Sequence, residues 1–208
     1  MSGRDVLKSL VHRAAVGAST TSSQVLRSRW ATEVKHRLSN LYPFQATLTD
    51  EDLARAVGQV ADIVAVTVHI QPHGIFMHIE DRDGRAQSLE LRLGDAYFAP
   101  RGAKELTFVM EPAEFSSRSL ATDIVAAIAG EVAWSIWRPL LPRQTRPPLA
   151  GAQVHRVDGH LVADLRSIPE VRRACSHPLT ANLIDALGLT DVRQDLGRMV
   201  LRLALPPI

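Results

Sequence analysis

The feature that most constrains this chain is the segment 119–138 (SLATDIVAAIAGEVAWSIWR), which is apolar on nearly every side. Its 20 residues would make about five turns of α-helix. Before the final arginine, Asp123 and Glu131 supply its only charges. A helix that is apolar all round cannot lie on a surface in water. The sequence therefore predicts that other elements surround it.

The composition is that of an ordinary globular protein. The chain has 208 residues, of which 46% are hydrophobic and 22% charged, so it can bury a sizeable core. A single cysteine, Cys175, excludes an internal disulfide framework and favours a reducing compartment. No stretch has the layout of a secretory signal or the length of an uncharged membrane span. We expect a cytoplasmic protein that can lie peripherally at the inner membrane. The excess of arginine over lysine is typical of a GC-rich bacterial genome.

Charge is unevenly distributed along the chain. Residues 1–40 carry a net charge of +5, whereas the rest of the chain has 17 basic and 20 acidic side chains. A basic arm on a mildly acidic body can contact anionic lipid, nucleic acid or the body of a neighbouring subunit. The basic residues of this arm are Arg4, Lys8, Arg13, Arg27, Arg29, Lys35 and Arg37.

The arm is predicted to contain helices at 5–16 and 23–38, and Thr49 is predicted to cap a third. The apolar side of the first helix can dock on the protein's own body or on a neighbouring subunit. Alternatively, the helix can lie on an anionic membrane with its apolar face in the headgroup boundary. Nucleic acid is not expected as a partner, because aromatic side chains do not alternate with the basic ones. The residues proposed for membrane or partner contact are Leu7, Lys8, Leu10, Val11 and Arg13.

After residue 60 the hydrophobic period changes from 3.6 to 2, which predicts strands. Strands are expected at 64–70, 75–80 and 88–93, and a fourth carries Leu106 and Phe108. Each has one apolar and one polar face, as in an antiparallel sheet with one dry side. The long helix is the natural cover for that side.

The last 60 residues are predicted to form a smaller α/β extension. A Pro-rich linker precedes a hairpin around Asp158-Gly159, a strong two-residue turn signal. Two short helices at 169–175 and 179–187 and a closing strand at 199–205 follow. The predicted class is thus α+β, an antiparallel meander wrapped on one long buried helix, with an N-terminal helical layer. The expected parts are 1–60, 61–142 and 149–208, within one composite domain.

Three groups of side chains are candidates for chemistry. If His73-Gly74 closes a two-residue hairpin, His69 faces His78, and Glu80 lies along the same side as a metal-ligand set. Pro72 equally suits a three-residue loop with a bulge, which would separate the two histidines. A polar, solvated sheet face explains the same residues. Cys175 near His177 suits either a nucleophile with its base or helix-end packing. Arg101 and Lys104, in the turn that follows Pro100, suit either phosphate binding or a solvated turn. No motif for a nucleotide, hydrolase or metalloprotease site is present, and no cofactor is expected.

The segment VTVHIQPHGIFMHIEDRDGRAQSLELRLGDAYFAPRGAKELTFVMEP and the helix after it resemble, over residues 60–140, the tubular lipid-binding (TULIP/SMP-like) superfamily. The resemblance lies in the order of the predicted strands and helix and in the alternation of apolar and polar residues along the strands. It implies a curved antiparallel sheet around a long helix, with an apolar groove for lipid. The residues expected to line such a groove are Val66, Val68, Ile75, Met77, Leu91, Phe108, Ile128 and Trp134.

The sequence leaves three functions open. The first is a non-catalytic module that binds an apolar ligand, lipid or membrane surface through the groove. The second is a structural subunit of a homo- or hetero-oligomer that packs its basic arm on the acidic body of a neighbour. The third is a metal-dependent enzyme that uses His69 and His78.

Overall fold

The computed structural model describes residues 45–99, 102–111, 118–141 and 145–204. The predicted helices at 5–16 and 23–38 therefore lie outside the described residues. Nine strands and four α-helices occur in the described part. The strands are β1 (Gln45–Thr49), β2 (Ile63–Gln71), β3 (Gly74–Asp81), β4 (Ala86–Phe98), β5 (Lys104–Glu111), β6 (Gln153–Val157), β7 (His160–Asp164), β8 (Gly188–Asp195) and β9 (Arg198–Ala204). The helices are α1 (Asp50–Val57), α2 (Arg118–Trp137), α3 (Pro169–Cys175) and α4 (Pro178–Ala186).

The strands form two antiparallel sheets. The larger has the order β2-β3-β4-β5-β7-β6, and the smaller has the order β1-β9-β8. The predicted α+β class, with an antiparallel sheet and one long helix, is confirmed. The C-terminal hairpin β6–β7 extends the larger sheet beside β5, while β1 pairs with β9 from the other end of the chain.

Local chemistry explains where α1 and the β6–β7 turn begin. Thr49 caps α1 reciprocally: its hydroxyl accepts a hydrogen bond from the Asp52 amide, and the Asp52 carboxylate accepts one from the Thr49 amide. Between β6 and β7, Asp158 and Gly159 have φ values of 49° and 83°. Two successive positive φ angles define the type I′ turn that an Asp-Gly pair favours. The predicted cap and the predicted turn are both confirmed.

Strands β1 and β8 were not predicted. β1 does alternate, with Ala46 and Leu48 buried between exposed neighbours, but its five residues are few for a periodicity signal. β8 is an outer strand and has no fully buried position, so its sequence lacks a continuous apolar face. The predicted closing strand, β9, lies between β1 and β8 and not at the edge of the larger sheet.

Helix α2 runs through the core, as its composition predicts. Ile124, Val125, Ile128 and Ala129 have no exposed surface. In the described part of the chain, one helix, Ser119–Trp137, is long and apolar enough to cross a membrane by length and composition, but 61% of that window is buried in the protein. Its position is that of a core helix.

The chain itself covers the small-residue middle of α2. The amide of Ala152 donates a hydrogen bond to the carbonyl of Ala126 over 3.3 Å. A Cβ atom added at Gly151 would lie 2.9 Å from the Cβ of Ala126, and one added at Gly130 would lie 3.1 Å from the carbonyl oxygen of Leu149. Both distances are too short for ordinary packing. Residues 149–152 therefore fit against α2 only because these positions lack side chains.

Candidate functional site

The predicted groove residues lie in the core. Val66 and Trp134 are partly buried, and the other six are almost completely buried, with at most 3% of their surface exposed. The guanidinium carbon of Arg138 lies 5.8 Å from the centre of the Trp134 ring. The fully buried residues of this set are Val68, Ile75, Met77, Leu91, Phe108 and Ile128. The predicted residues thus lie on the inner side of the sheet and on α2, where they form part of the core.

The residues proposed for membrane or partner contact, Leu7, Lys8, Leu10, Val11 and Arg13, lie outside the described residues. For them the docking interpretation and the membrane interpretation both stay predictions.

The predicted register of the β2–β3 hairpin is wrong. Gln71 pairs with Gly74, so the two turn residues are Pro72 and His73. Pro72 is pre-set for a turn by its fixed φ, and it lacks the amide hydrogen that a strand ladder needs. His69 consequently lies opposite Phe76, and His78 lies opposite Thr67.

The shifted register separates the proposed metal ligands. His69 and His78 are diagonal neighbours on the exposed face, and diagonal neighbours are about 7–8 Å apart. The Nδ1 atom of His69 lies 3.8 Å from a carboxylate oxygen of Asp50, and that of His78 lies 3.2 Å from the Ser88 hydroxyl. Glu80 is exposed. Within the described ranges, no group of three His, Cys, Asp or Glu side chains could hold a metal ion.

A buried carboxylate on α2 forms the first of two internal polar clusters. The Glu131 side chain is 2% exposed, and its Oε1 atom accepts a hydrogen bond from Arg55 of α1 over 3.2 Å. Arg55 also donates to Asp52 over 2.6 Å. The second oxygen, Oε2, is buried and has no hydrogen-bond partner among the described residues. Burial raises the pKa of Glu131, and the ion pair with Arg55 offsets this only in part.

The raised pKa of Glu131 predicts a pH-dependent effect of Glu131→Gln. In the pH range just above the ordinary carboxyl pKa, the folded state binds more protons at this site than the unfolded state. The contribution of Glu131 to stability therefore falls as pH rises from about 4.5. We expect the free energy of unfolding of the variant to increase relative to wild type between pH 4.5 and 7, measured by urea denaturation. A difference that is constant over this range would contradict the assignment.

Lys104, at the start of β5, forms the second internal cluster. Its side chain has no exposed surface. The Nζ atom donates to the carbonyl oxygens of Ala99, Asp185 and Leu187 at 2.7, 3.0 and 2.9 Å, and it lies 5.6 Å from the centre of the Phe98 ring. Burial lowers the pKa of Lys104 to about 8. With its three N–H donors engaged, Lys104 ties the β4–β5 turn to the end of α4. Lys104 therefore neither binds phosphate nor lies in a solvated turn, and Arg101 lies outside the described residues.

Arg166 and Cys175 lie close to the Lys104 cluster. Arg166 donates to the carboxylate of Asp185 over 2.6 Å and to the Gly102 carbonyl over 3.2 Å. Burial raises the pKa of Cys175, although Arg166 acts in the opposite direction. A raised pKa reduces the thiolate fraction, so the geometry favours packing over nucleophilic chemistry at Cys175.

A cleft of about 310 Å³ lies between β4 and β8. β3 pairs with β4 only as far as Leu91, and the remainder of β4 pairs with β5 alone. β8 is the outer strand of the smaller sheet. Two strand edges that pair with no other described strand therefore face each other across the cleft. The cleft is lined by residues 93–96, residues 189–192, Pro72 and Gln194.

The polar side chains of this cleft are two carboxylates, one amide and the hydroxyl of Thr190, which donates to the Arg202 carbonyl over 3.1 Å. Asp95 is exposed and forms no ion pair with the described residues. Asp191 lies 3.9 Å from Arg202, and both side chains are half exposed. The Nε2 atom of Gln194 is buried and has no hydrogen-bond partner in the described part of the chain. Sequence reasoning missed this site, because both strands depart from regular pairing where they line it.

Comparisons with known proteins give no relative. No protein-family model matches the chain, and neither curated proteins nor solved structures yield a significant match.

Proposed function

We propose that this protein is a non-catalytic assembly subunit that uses its basic N-terminal arm, residues 1–40, to pack on the acidic body of a neighbouring copy. The observation that carries the proposal is the covered middle of α2. Residues 149–152 lie directly on Ala126 and Gly130, where a lipid-binding protein of the resembled layout would need open space. The inner face of the sheet is occupied in the same way by its own side chains.

The charge distribution supports a contact between the arm and the surface of a neighbouring copy. The arm carries a net charge of +5, and the rest of the chain carries a net charge of −3. Opposite charges on one chain favour contact between copies and increase the rate of their encounter.

Native mass spectrometry of the gently purified full chain tests this function. We expect a multimer without bound ligand. Replacing Arg27, Arg29, Lys35 and Arg37 by glutamine should shift the population to monomer, because the arm then carries almost no net positive charge. A monomer that retains lipid would contradict the proposal and favour the carrier.

Two further variants identify which side of the first predicted helix makes the contact. Leu7→Ser with Leu10→Ser and Val11→Ser removes the apolar side, and Lys8→Gln with Arg13→Gln removes the basic side. One result would contradict assembly and support a membrane contact. In that result, the wild-type chain binds phosphatidylglycerol vesicles, both variants lose this binding, and the mass of the assembly is the same in all three proteins.

A further inference from the structure

We propose that the cleft between β4 and β8 is the site that receives the basic segment 27–37 of a neighbouring copy. This inference rests on the proposed function and names the surface that the arm contacts. It starts from three groups of the cleft: the carboxylate of Asp95, the carboxylate of Asp191 beside Arg202, and the Nε2 atom of Gln194, which has no partner among the described residues.

The cleft matches a basic peptide in charge and in hydrogen bonding. Asp95 has no cationic partner in the described part of the chain, and Asp191 has only the distant Arg202. Arginine and lysine side chains of the segment would supply cations to both carboxylates. The buried Nε2 atom of Gln194 lacks an acceptor, and a backbone carbonyl of a bound peptide would provide one. Segment 27–37 contains four basic residues and one acidic residue.

The point at which the arm leaves the described fold lies within reach of the cleft. Gln45 and Asp191 both lie opposite Arg202, on either side of β9. Two strand spacings separate them, which is about 10 Å. Residues 38–44 can span about 25 Å when extended. Residues 38–44 are therefore long enough to carry the arm to this cleft. Delivery to the partner's cleft across a twofold axis near this row would make two reciprocal contacts, which close at a dimer.

Neutralising the cleft in the full-length protein tests the site. The variant Asp95→Asn with Asp191→Asn keeps the shape of both side chains and removes their charge. We expect the dissociation constant of the dimer, measured by sedimentation, to increase about tenfold, as for several exposed ion pairs lost together. The matched control Glu80→Gln with Asp83→Asn removes two exposed charges elsewhere and should change the constant by less than about twofold. Equal effects of the two variants would overturn the site.

Cross-linking identifies the source of the segment. In a Cys175→Ser background, Asp191→Cys is combined with Lys35→Cys in the full chain and oxidised. A disulfide-linked dimer is expected. A disulfide within one chain would overturn exchange between copies, and no disulfide would overturn the contact itself.

The two proposals can fail separately. If neutralising the arm dissociates the assembly but neutralising the cleft does not, the arm binds elsewhere and only the cleft is refuted. If neutralising the arm leaves the mass of the assembly unchanged, assembly through the arm is refuted.

Discussion

Lys104→Met is expected to lower the free energy of unfolding by about 3 kcal/mol, because three carbonyl groups lose a charged donor at once. Hydrogen bonds to charged groups contribute about 1.5–3 kcal/mol each, and the relief from burying an ammonium group offsets part of that sum. The Leu187 carbonyl accepts a fully buried bond, so water cannot replace the donor there. For a chain of this size, the melting temperature should fall by about 6–12 °C.

A matched substitution separates this effect from the mere loss of a basic residue. Arg156, on the outer strand β6, is exposed, and Arg156→Met should change stability by less than about 0.5 kcal/mol. If Lys104→Met unfolds at the same denaturant concentration as Arg156→Met, the three carbonyls do not depend on the ammonium group.

Gly151→Ala is expected to destabilise the protein by about 2 kcal/mol, because the new methyl group would lie 2.9 Å from the Cβ of Ala126 and force residues 149–152 away from α2. Gly188→Ala is the control: its Cβ would be 3.5 Å from the nearest atom, an ordinary contact. Chemical denaturation of both variants measures the difference.

A double-mutant cycle tests whether Ala126 is the cause. Ala126→Gly alone should cost up to about 1 kcal/mol, since glycine weakens a helix interior. Combined with Gly151→Ala, it removes the opposing methyl group, so the double variant should be more stable than the sum of the single effects predicts by about 1–2 kcal/mol. Additive effects would indicate that the Ala126 methyl group is not what opposes a side chain at residue 151.

Much of the fold follows from periodicity and turn chemistry. The apolar helix 119–138 agrees within one residue with α2, and the predicted helix 169–175 has the bounds of α3. Thr49 and Asp158-Gly159 act through contacts within a few residues, so local sequence suffices to predict the α1 cap and the β6–β7 turn.

The candidate site and the internal charges were less accessible to prediction. From its neighbours in sequence, Lys104 is predicted to lie in a polar turn. Two of its acceptors come from the end of α4, some eighty residues later in the chain. Glu131 is a visible charge in an apolar helix, but its partner Arg55 is 76 residues away. The register of β2–β3 was wrong because Pro72 occupies the turn, where His73-Gly74 was expected.

The sequence by itself determined that a sheet with one apolar face must cover an apolar helix, because hydrophobic period and turn residues act over a few positions. Only the tertiary structure decided that β1 and β9 share a sheet and that β8 faces the irregular part of β4 across a cleft. It also decided that the small residues of α2 are covered by 149–152. Those contacts join segments that are distant in the chain. They are stable because each segment buries apolar surface of the other, and the sequence of one segment alone does not specify its partner.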